Sequence, residues 1–132
     1  MELADRIRAA KRVYIIGNGG SSANAAHICN DLESRGIRAY VMNEATKSAW
    51  ENDYEHSYVF KKWISLHGEP GDLLIALSGS GTSQNILRAC DEAVLMGMDV
   101  YPLFGDALGQ DMQDAEEYQL RVGHDLMRAL RD

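Results

Sequence analysis

The chain has 132 residues, of which 45% are hydrophobic and 25% are charged, and its formal net charge is −7. This composition is typical of a globular protein, and the length predicts a single domain with one core. The negative charge argues against a broad nucleic-acid interface or an anionic membrane surface as the partner. No stretch approaches about 18 consecutive apolar residues, and the charged start lacks the apolar core of a signal peptide. We therefore expect a cytoplasmic protein.

Apolar runs alternate with helical patterns along the chain. Strands are predicted at residues 12–16, 38–42, 72–78, 100–104 and 118–122, and helices at 22–35, 54–67, 83–96 and 108–113. Gly36, Gly68 and Gly97 follow the first three helices, as helix-terminating glycines do. Repeated strand–helix–strand units predict an α/β fold, a doubly wound, flavodoxin-like, five-stranded parallel sheet with helices on both faces. Cys29 and Cys90 fall in predicted helices and are expected to be buried thiols rather than a disulfide.

Two loops rich in glycine and serine follow the first and third predicted strands. The first has the sequence GNGGSS (residues 17–22), and the second has the sequence SGSGTS (residues 78–83). Glycines let the backbone approach a ligand closely, and hydroxyls, free N–H groups and a helix N-terminus together bind anions. With strand order 2-1-3-4-5, both loops flank the switch point at the carboxyl edge of the sheet. The pair therefore predicts a phosphorylated ligand that is held from two sides.

Other interpretations of the first loop remain open at this point. A dinucleotide fingerprint needs a glycine where Ser22 stands, although Glu44 after the second strand would suit a ribose. A Walker loop is excluded, because Gly-Lys-Ser/Thr does not occur. Each loop taken alone is also compatible with an ordinary glycine-rich turn that ends in an N-capping serine.

The helix after the first loop carries a polar ridge. His27, Asp31 and Arg35 are spaced i, i+4 and i+8, away from the apolar stripe of that helix. Such a ridge is typical of a solvated surface, but it also suits a cleft or a neighbouring subunit. A carboxylate beside an imidazole can move protons or bind a divalent metal, although two ligands are too few for a tight zinc site. After the second strand, either Asn52 or Asp53 is expected to be an N-cap, or Asp53 reaches sugar hydroxyls.

These motifs together resemble the SIS (sugar isomerase) domain family over residues 11–122, and within it the phosphoheptose isomerases. The likeness rests on the first loop, on the polar ridge, on WEND (residues 50–53) and on GDLLIALSGSGTSQN (residues 71–85). It implies one SIS-type phosphosugar-binding domain over residues 1–132, lacking most of the family's N- and C-terminal helices. The implied activity is aldose–ketose isomerisation of sedoheptulose 7-phosphate to heptose 7-phosphate in a homo-oligomer, dimer or tetramer, with sites at subunit interfaces. A non-catalytic sugar-phosphate sensor and a protein-interaction module are the alternatives.

The resemblance also implies roles for individual residues. Asp31 matches a glutamate that acts as acid or base, and His27 would assist it or join it in a divalent metal site, such as zinc, although no cofactor is required. His124 is the candidate for a catalytic histidine on a C-terminal helix, which we expect to begin only at residues 123–128. Gly79 replaces a usual hydroxyl residue. The expected substrate ligands are Asn18, Gly19, Ser21, Arg35, Asp53, Ser78, Ser80, Thr82 and Ser83.

Overall fold

The computed structural model describes residues 1–104 and 111–131, and a parallel β-sheet forms its centre. In this part of the chain the sheet has four strands, β1 (Val13–Ile16), β2 (Ala39–Val41), β3 (Leu73–Ser78) and β4 (Asp99–Phe104). Their order is β2-β1-β3-β4, and every pairing is parallel. The predicted α/β class and the predicted order of these strands are confirmed.

Helices cover both faces of the sheet. The described residues form α1 (Glu2–Ala9), α2 (Gly19–Ser34), α3 (Glu44–Asp53), a 3-10 turn (His56–Tyr58), α4 (Val59–His67), α5 (Gln84–Leu95) and α6 (Met112–Ala129). Helices α1, α2 and α6 pack on one face, and α4 and α5 pack on the other. No helix within residues 1–104 or 111–131 is long and apolar enough to cross a membrane.

The core is built around β3, whose six residues are all buried. Leu73, Ile75 and Leu77 belong to the core on the α2 side, whereas Leu74 and Ala76 belong to the core on the α4–α5 side. A strand that is covered on both faces is apolar at every position, which is why its sequence was easy to recognise. This buried strand delivers Ser78 to the carboxyl edge of the sheet in a fixed position.

The predicted fifth strand at residues 118–122 is wrong, because these residues lie within α6. The YQLRV sequence alternates apolar and polar residues and so resembles a strand over five positions. The helical period emerges only over the whole of α6, where Ala115, Gln119, Val122 and Leu126 are buried at spacings of three and four. Helix α6 already begins at Met112, so the expected start of a C-terminal helix at residues 123–128 is also wrong.

Several helix boundaries differ from the prediction. Helix α2 begins at Gly19 rather than at residue 22. Helix α3 was not predicted; the side chain of Asn43 caps it by accepting hydrogen bonds from two of its first N–H groups. The helix predicted at 54–67 is a 3-10 turn followed by α4. Asn52 and Asp53 lie in the last turn of α3, so neither of them is an N-cap. Of the helix predicted at 108–113, residues 108–110 lie outside the described residues.

Both cysteines are free thiols, as predicted. Cys29 is buried in α2, and Cys90 is half-buried in α5. Burial raises the pKa of each thiol to about 11. Because the thiolate is the nucleophilic form, neither cysteine is suited to covalent catalysis at neutral pH.

Candidate functional site

The second serine loop joins β3 to α5 and is ordered by its own hydroxyls. Ser78 Oγ accepts a hydrogen bond from the N–H of Gly81 at 2.9 Å. Ser80 Oγ accepts hydrogen bonds from the N–H of Thr82 at 3.2 Å and from its hydroxyl at 3.1 Å. Ser80 Oγ also lies 3.5 Å from Ser83 Oγ. The hydroxyls of residues 80, 82 and 83 are therefore gathered directly before α5.

Among the described residues, no side chain caps the N-terminus of α5. Ser83 is the N-cap residue, but its side chain makes no capping hydrogen bond. The first N–H groups of a helix have no partner within the helix, and they carry the positive end of its dipole. Together with the three hydroxyls, they form an arrangement that can bind a phosphate.

A pair of side-chain amides ties the first serine loop to the second. Asn18 Nδ2 donates to Asn85 Oδ1, and Asn85 Nδ2 donates to Asn18 Oδ1, both at 2.9 Å. Asn18 is the N-cap residue of α2, whereas Asn85 is buried in the first turn of α5. The structure therefore brings the two loops together at the carboxyl edge of the sheet, as the strand order predicted.

The first turn of α2 contains the other residues expected to bind substrate from the first loop. Gly19 is exposed and has a φ of +52°, a conformation that glycine adopts without strain. Ser21 is buried, and its Oγ accepts a hydrogen bond from Gln119 Nε2 at 3.0 Å. Gln119 Oε1 in turn accepts a hydrogen bond from Asn24 Nδ2 at 3.0 Å. In this structure Ser21 therefore anchors α6 beside the loop.

Helix α6 lies against both serine loops, and glycines make room for it. A Cβ added to Gly79 would contact Met112 Sδ, and one added to Gly20 would overlap the carboxylate of Glu116. The glycine that replaces the usual hydroxyl residue thus leaves space for a side chain of α6. Gln119 and Glu116 did not emerge from the sequence, because their segment was read partly as a strand.

The polar ridge of α2 meets His124 of α6. His27 Nε2 is 3.4 Å from Asp31 Oδ2, and the rings of His27 and His124 lie 5.7 Å apart, edge to face. The contact depends on Gly123, where an added Cβ would lie only 2.9 Å from Ile28 Cγ1. The structure therefore gathers the three residues that were expected to be catalytic.

The ridge lies at some distance from the first loop. At 1.5 Å per residue, His27 is about 12 Å along α2 from Gly19, and Asp31 is about 18 Å from it. Arg35 lies beyond the last residue of α2 and is exposed. Asp53 is also exposed, at the end of α3. Among the described hydrogen bonds, neither Arg35 nor Asp53 joins the serine loops.

The described residues do not fit a divalent metal site. Within residues 1–104 and 111–131, no group of three or more His, Cys, Asp or Glu side chains is arranged to hold a metal ion. His27 and Asp31 lie close together, but a zinc site requires at least three protein ligands.

The residue considered as a ribose ligand has another contact. Glu44 lies in the first turn of α3, where an acidic side chain favours the helix dipole. Its Oε1 accepts a hydrogen bond from Ser22 Oγ at 3.1 Å. This pair links the first turns of α2 and α3, and it gives Ser22 a structural role where a dinucleotide fingerprint would have a glycine.

Comparisons with known proteins agree with this geometry. The pattern of the SIS domain matches residues 2–105. The phosphoheptose isomerase of Rhodospirillum rubrum is 39% identical over 124 residues, covering 88% of this chain and 65% of that protein. The phosphoheptose isomerase of Campylobacter concisus is 37% identical over 130 residues, covering 92% and 68%. A solved structure of a phosphoheptose isomerase from Francisella tularensis matches with a TM-score of 0.86 at 25% identity, covering 98% of this chain and 82% of that one.

The match is therefore both extensive and partial. The chain spans 65% of the length of the Rhodospirillum relative. The domain itself is matched over most of its sequence and all of its described sheet. On this evidence the chain belongs to the SIS domain family.

Proposed function

We propose that this chain is a phosphosugar-binding domain that catalyses aldose–ketose isomerisation, converting sedoheptulose 7-phosphate to heptose 7-phosphate. The observation that carries the proposal is that the two serine loops, at the N-termini of α2 and α5, are joined by hydrogen bonds between Asn18 and Asn85. The identity of 39% to a phosphoheptose isomerase supports this substrate. Cytoplasmic location remains part of the proposal.

The phosphate binds at the second loop. Ser80 and Ser83 donate hydroxyl hydrogen bonds, Thr82 does so once its hydroxyl turns away from Ser80, and the first amides of α5 add backbone donors. Ser78 stabilises the conformation of the loop, because it is buried and its hydroxyl oxygen accepts a hydrogen bond from the Gly81 N–H. Hydrogen bonds to a charged group contribute about 1.5–3 kcal/mol each. Such local donors bind an anion even though the net charge of the chain is −7.

The reaction moves a proton between two neighbouring carbons. A base removes a proton from C1 of the ketose, next to the carbonyl at C2, while an acid protonates the carbonyl oxygen, and an enediol forms. An acid then returns a proton to C2, while the hydroxyl on C1 loses its proton and becomes the aldehyde. We assign Asp31 as the base, and its carboxylate orients His27. His124, beside His27, is the second group that carries a proton. Arg35 and Asp53 bind the sugar end of the substrate.

The site is completed by a second copy of the chain. Asp31 lies about 18 Å along α2 from the first loop, which is farther than a sugar phosphate extends. A substrate held by the serine loops of one copy would therefore meet the ridge of another. We expect a homo-oligomer, and sedimentation that detects only a monomer at micromolar concentration would contradict this part of the proposal.

Proton exchange in heavy water tests the activity directly. NMR of sedoheptulose 7-phosphate should show exchange at C1 and C2 and the accumulation of aldose product. Asp31→Asn should abolish both, whereas Asp91→Asn, an exposed carboxylate on α5, should leave them unchanged. Binding without exchange would overturn catalysis in favour of a sensor. Absence of binding would favour a protein-interaction module.

A further inference from the structure

His56 lies on the 3-10 turn between α3 and α4, outside every motif that the sequence analysis singled out, yet it contacts the site. Its Nε2 is 3.3 Å from Asn85 Nδ2, and its Nδ1 is 3.6 Å from Glu51 Oε1. Glu51 Oε1 is also 3.3 Å from Lys47 Nζ. A line of polar groups therefore runs from α3 through His56 to the amide pair that joins the serine loops.

The hydrogen-bond count assigns the protons in this line. Asn85 Nδ2 carries two protons, of which one is donated to Asn18 Oδ1 and the other is directed at His56 Nε2. A neutral imidazole has one donor nitrogen and one acceptor nitrogen. Nε2 must therefore be the acceptor, and the proton must lie on Nδ1, where it faces the carboxylate of Glu51.

The opposite tautomer of His56 would reverse the orientation of both side-chain amides, those of Asn85 and Asn18. A proton on His56 Nε2 would require Asn85 to present Oδ1, so the Asn85 amide would turn over. Asn18 would then have to turn over as well, because two amides bond reciprocally only when oxygen faces nitrogen at both contacts. In the observed arrangement Asn18 Nδ2 keeps a second proton, for which the described residues provide no acceptor.

We propose that His56 is a positioning residue of the phosphosugar site. By accepting a hydrogen bond from Asn85, His56 holds the Asn18 amide in the orientation that offers an N–H donor to an oxygen of the sugar phosphate at the first loop. This role rests on the proposed function, and it deepens that function by naming the residue that orients the first loop. His56 itself touches no reacting atom.

The tautomer can be measured without any ligand. Nitrogen-15 NMR of the imidazoles at alkaline pH should show the His56 ring protonated at Nδ1, with the signal identified by its loss in His56→Gln. A ring protonated at Nε2 would overturn the proposal. This measurement does not depend on whether the chain binds sugars.

The affinities for a sugar phosphate and for inorganic phosphate then distinguish a positioning role of His56 from a role in folding. In His56→Gln the side-chain oxygen can still accept a hydrogen bond from Asn85, whereas the side chain of His56→Phe has no acceptor. We expect His56→Phe to lower the affinity for sedoheptulose 7-phosphate about 10-fold, while His56→Gln stays within about twofold of the wild type. The affinity for inorganic phosphate, which needs only the second loop, should be unchanged in both variants.

Each outcome has a distinct meaning. Unchanged sugar-phosphate binding in His56→Phe would overturn the positioning role alone, as would an equal loss for sugar phosphate and inorganic phosphate. A wild-type chain that binds inorganic phosphate but no sugar phosphate would overturn the proposed function, and the positioning role with it.

Discussion

The second serine loop and the α2–α6 face are assembled in different ways. The loop is one contiguous segment, residues 78–83, and most of its hydrogen bonds join residues two or three positions apart. The α2–α6 face brings His27 and Asp31 together with His124, far away in sequence, through one close helix contact. The proposed phosphate binding therefore depends on local geometry, whereas the proximity of the two histidines depends on helix packing. Variants should divide accordingly into those that change affinity and those that change turnover.

The largest effect on turnover is expected at His124, the α6 residue of the α2–α6 face. His124→Phe keeps an aromatic ring beside His27 but cannot carry a proton, and general acid–base groups contribute about 100-fold or more to rate. We expect turnover of sedoheptulose 7-phosphate to fall at least ~100-fold with little change in phosphate affinity. His67→Phe, at an exposed histidine of α4, is the matched control. Wild-type turnover in His124→Phe would remove this residue from the reaction.

The contact between α2 and α6 gives the next largest effect. Gly123→Val would insert a side chain where a Cβ already lies 2.9 Å from Ile28 Cγ1. We expect the free energy of unfolding to fall by about 2 kcal/mol, as overpacking does in a close-packed core. Urea unfolding measures this change, and Ala23→Val, at an exposed site of α2, should have a much smaller effect. If the variant folds with unchanged stability, the helices do not need this glycine.

The second loop should respond in affinity. Ser80→Ala removes the acceptor of two hydrogen bonds from Thr82 and one potential phosphate ligand. We expect affinities for sedoheptulose 7-phosphate and for inorganic phosphate to fall together, about 10-fold. Calorimetry measures both, and Ser65→Ala on the exposed surface of α4 is the control. A loss confined to the sugar phosphate would mean that Ser80 contacts the sugar rather than the phosphate.

The smallest expected effect is a pH dependence of the free energy of unfolding, to which one cysteine thiol in α2 and one in α5 contribute. Cys29 lies in α2 and Cys90 in α5, and burial raises the pKa of each thiol from 9.0 to about 11. The unfolded chain loses these protons first, so this contribution to stability is intact below pH 9.0 and is lost as pH rises towards about 11. Unfolding of Cys29→Ala and of Cys90→Ala, compared with wild type over that range, should each show a shallower decline. Parallel curves would mean that the thiols are not buried in solution.

Prediction from sequence succeeded where the signal is contiguous. The strand β3 is apolar at every position, and the glycine–serine run follows it directly, so both were recognised without knowledge of the fold. Helix α3 was missed because none of its residues is buried, which leaves it without an apolar stripe. Part of α6 was mistaken for a strand because five alternating residues satisfy both periods.

The sequence by itself determined the α/β class, the two serine loops and the presence of an ionisable pair on α2, because each is encoded in neighbouring residues or in a helical spacing. Only the tertiary structure decided that Asn18 bonds Asn85, that His56 contacts Asn85, and that His124 meets His27. These contacts join residues that are distant along the chain. Their geometry is set by strand order and by the space that Gly123 leaves between two helices, and neither can be read from a local pattern.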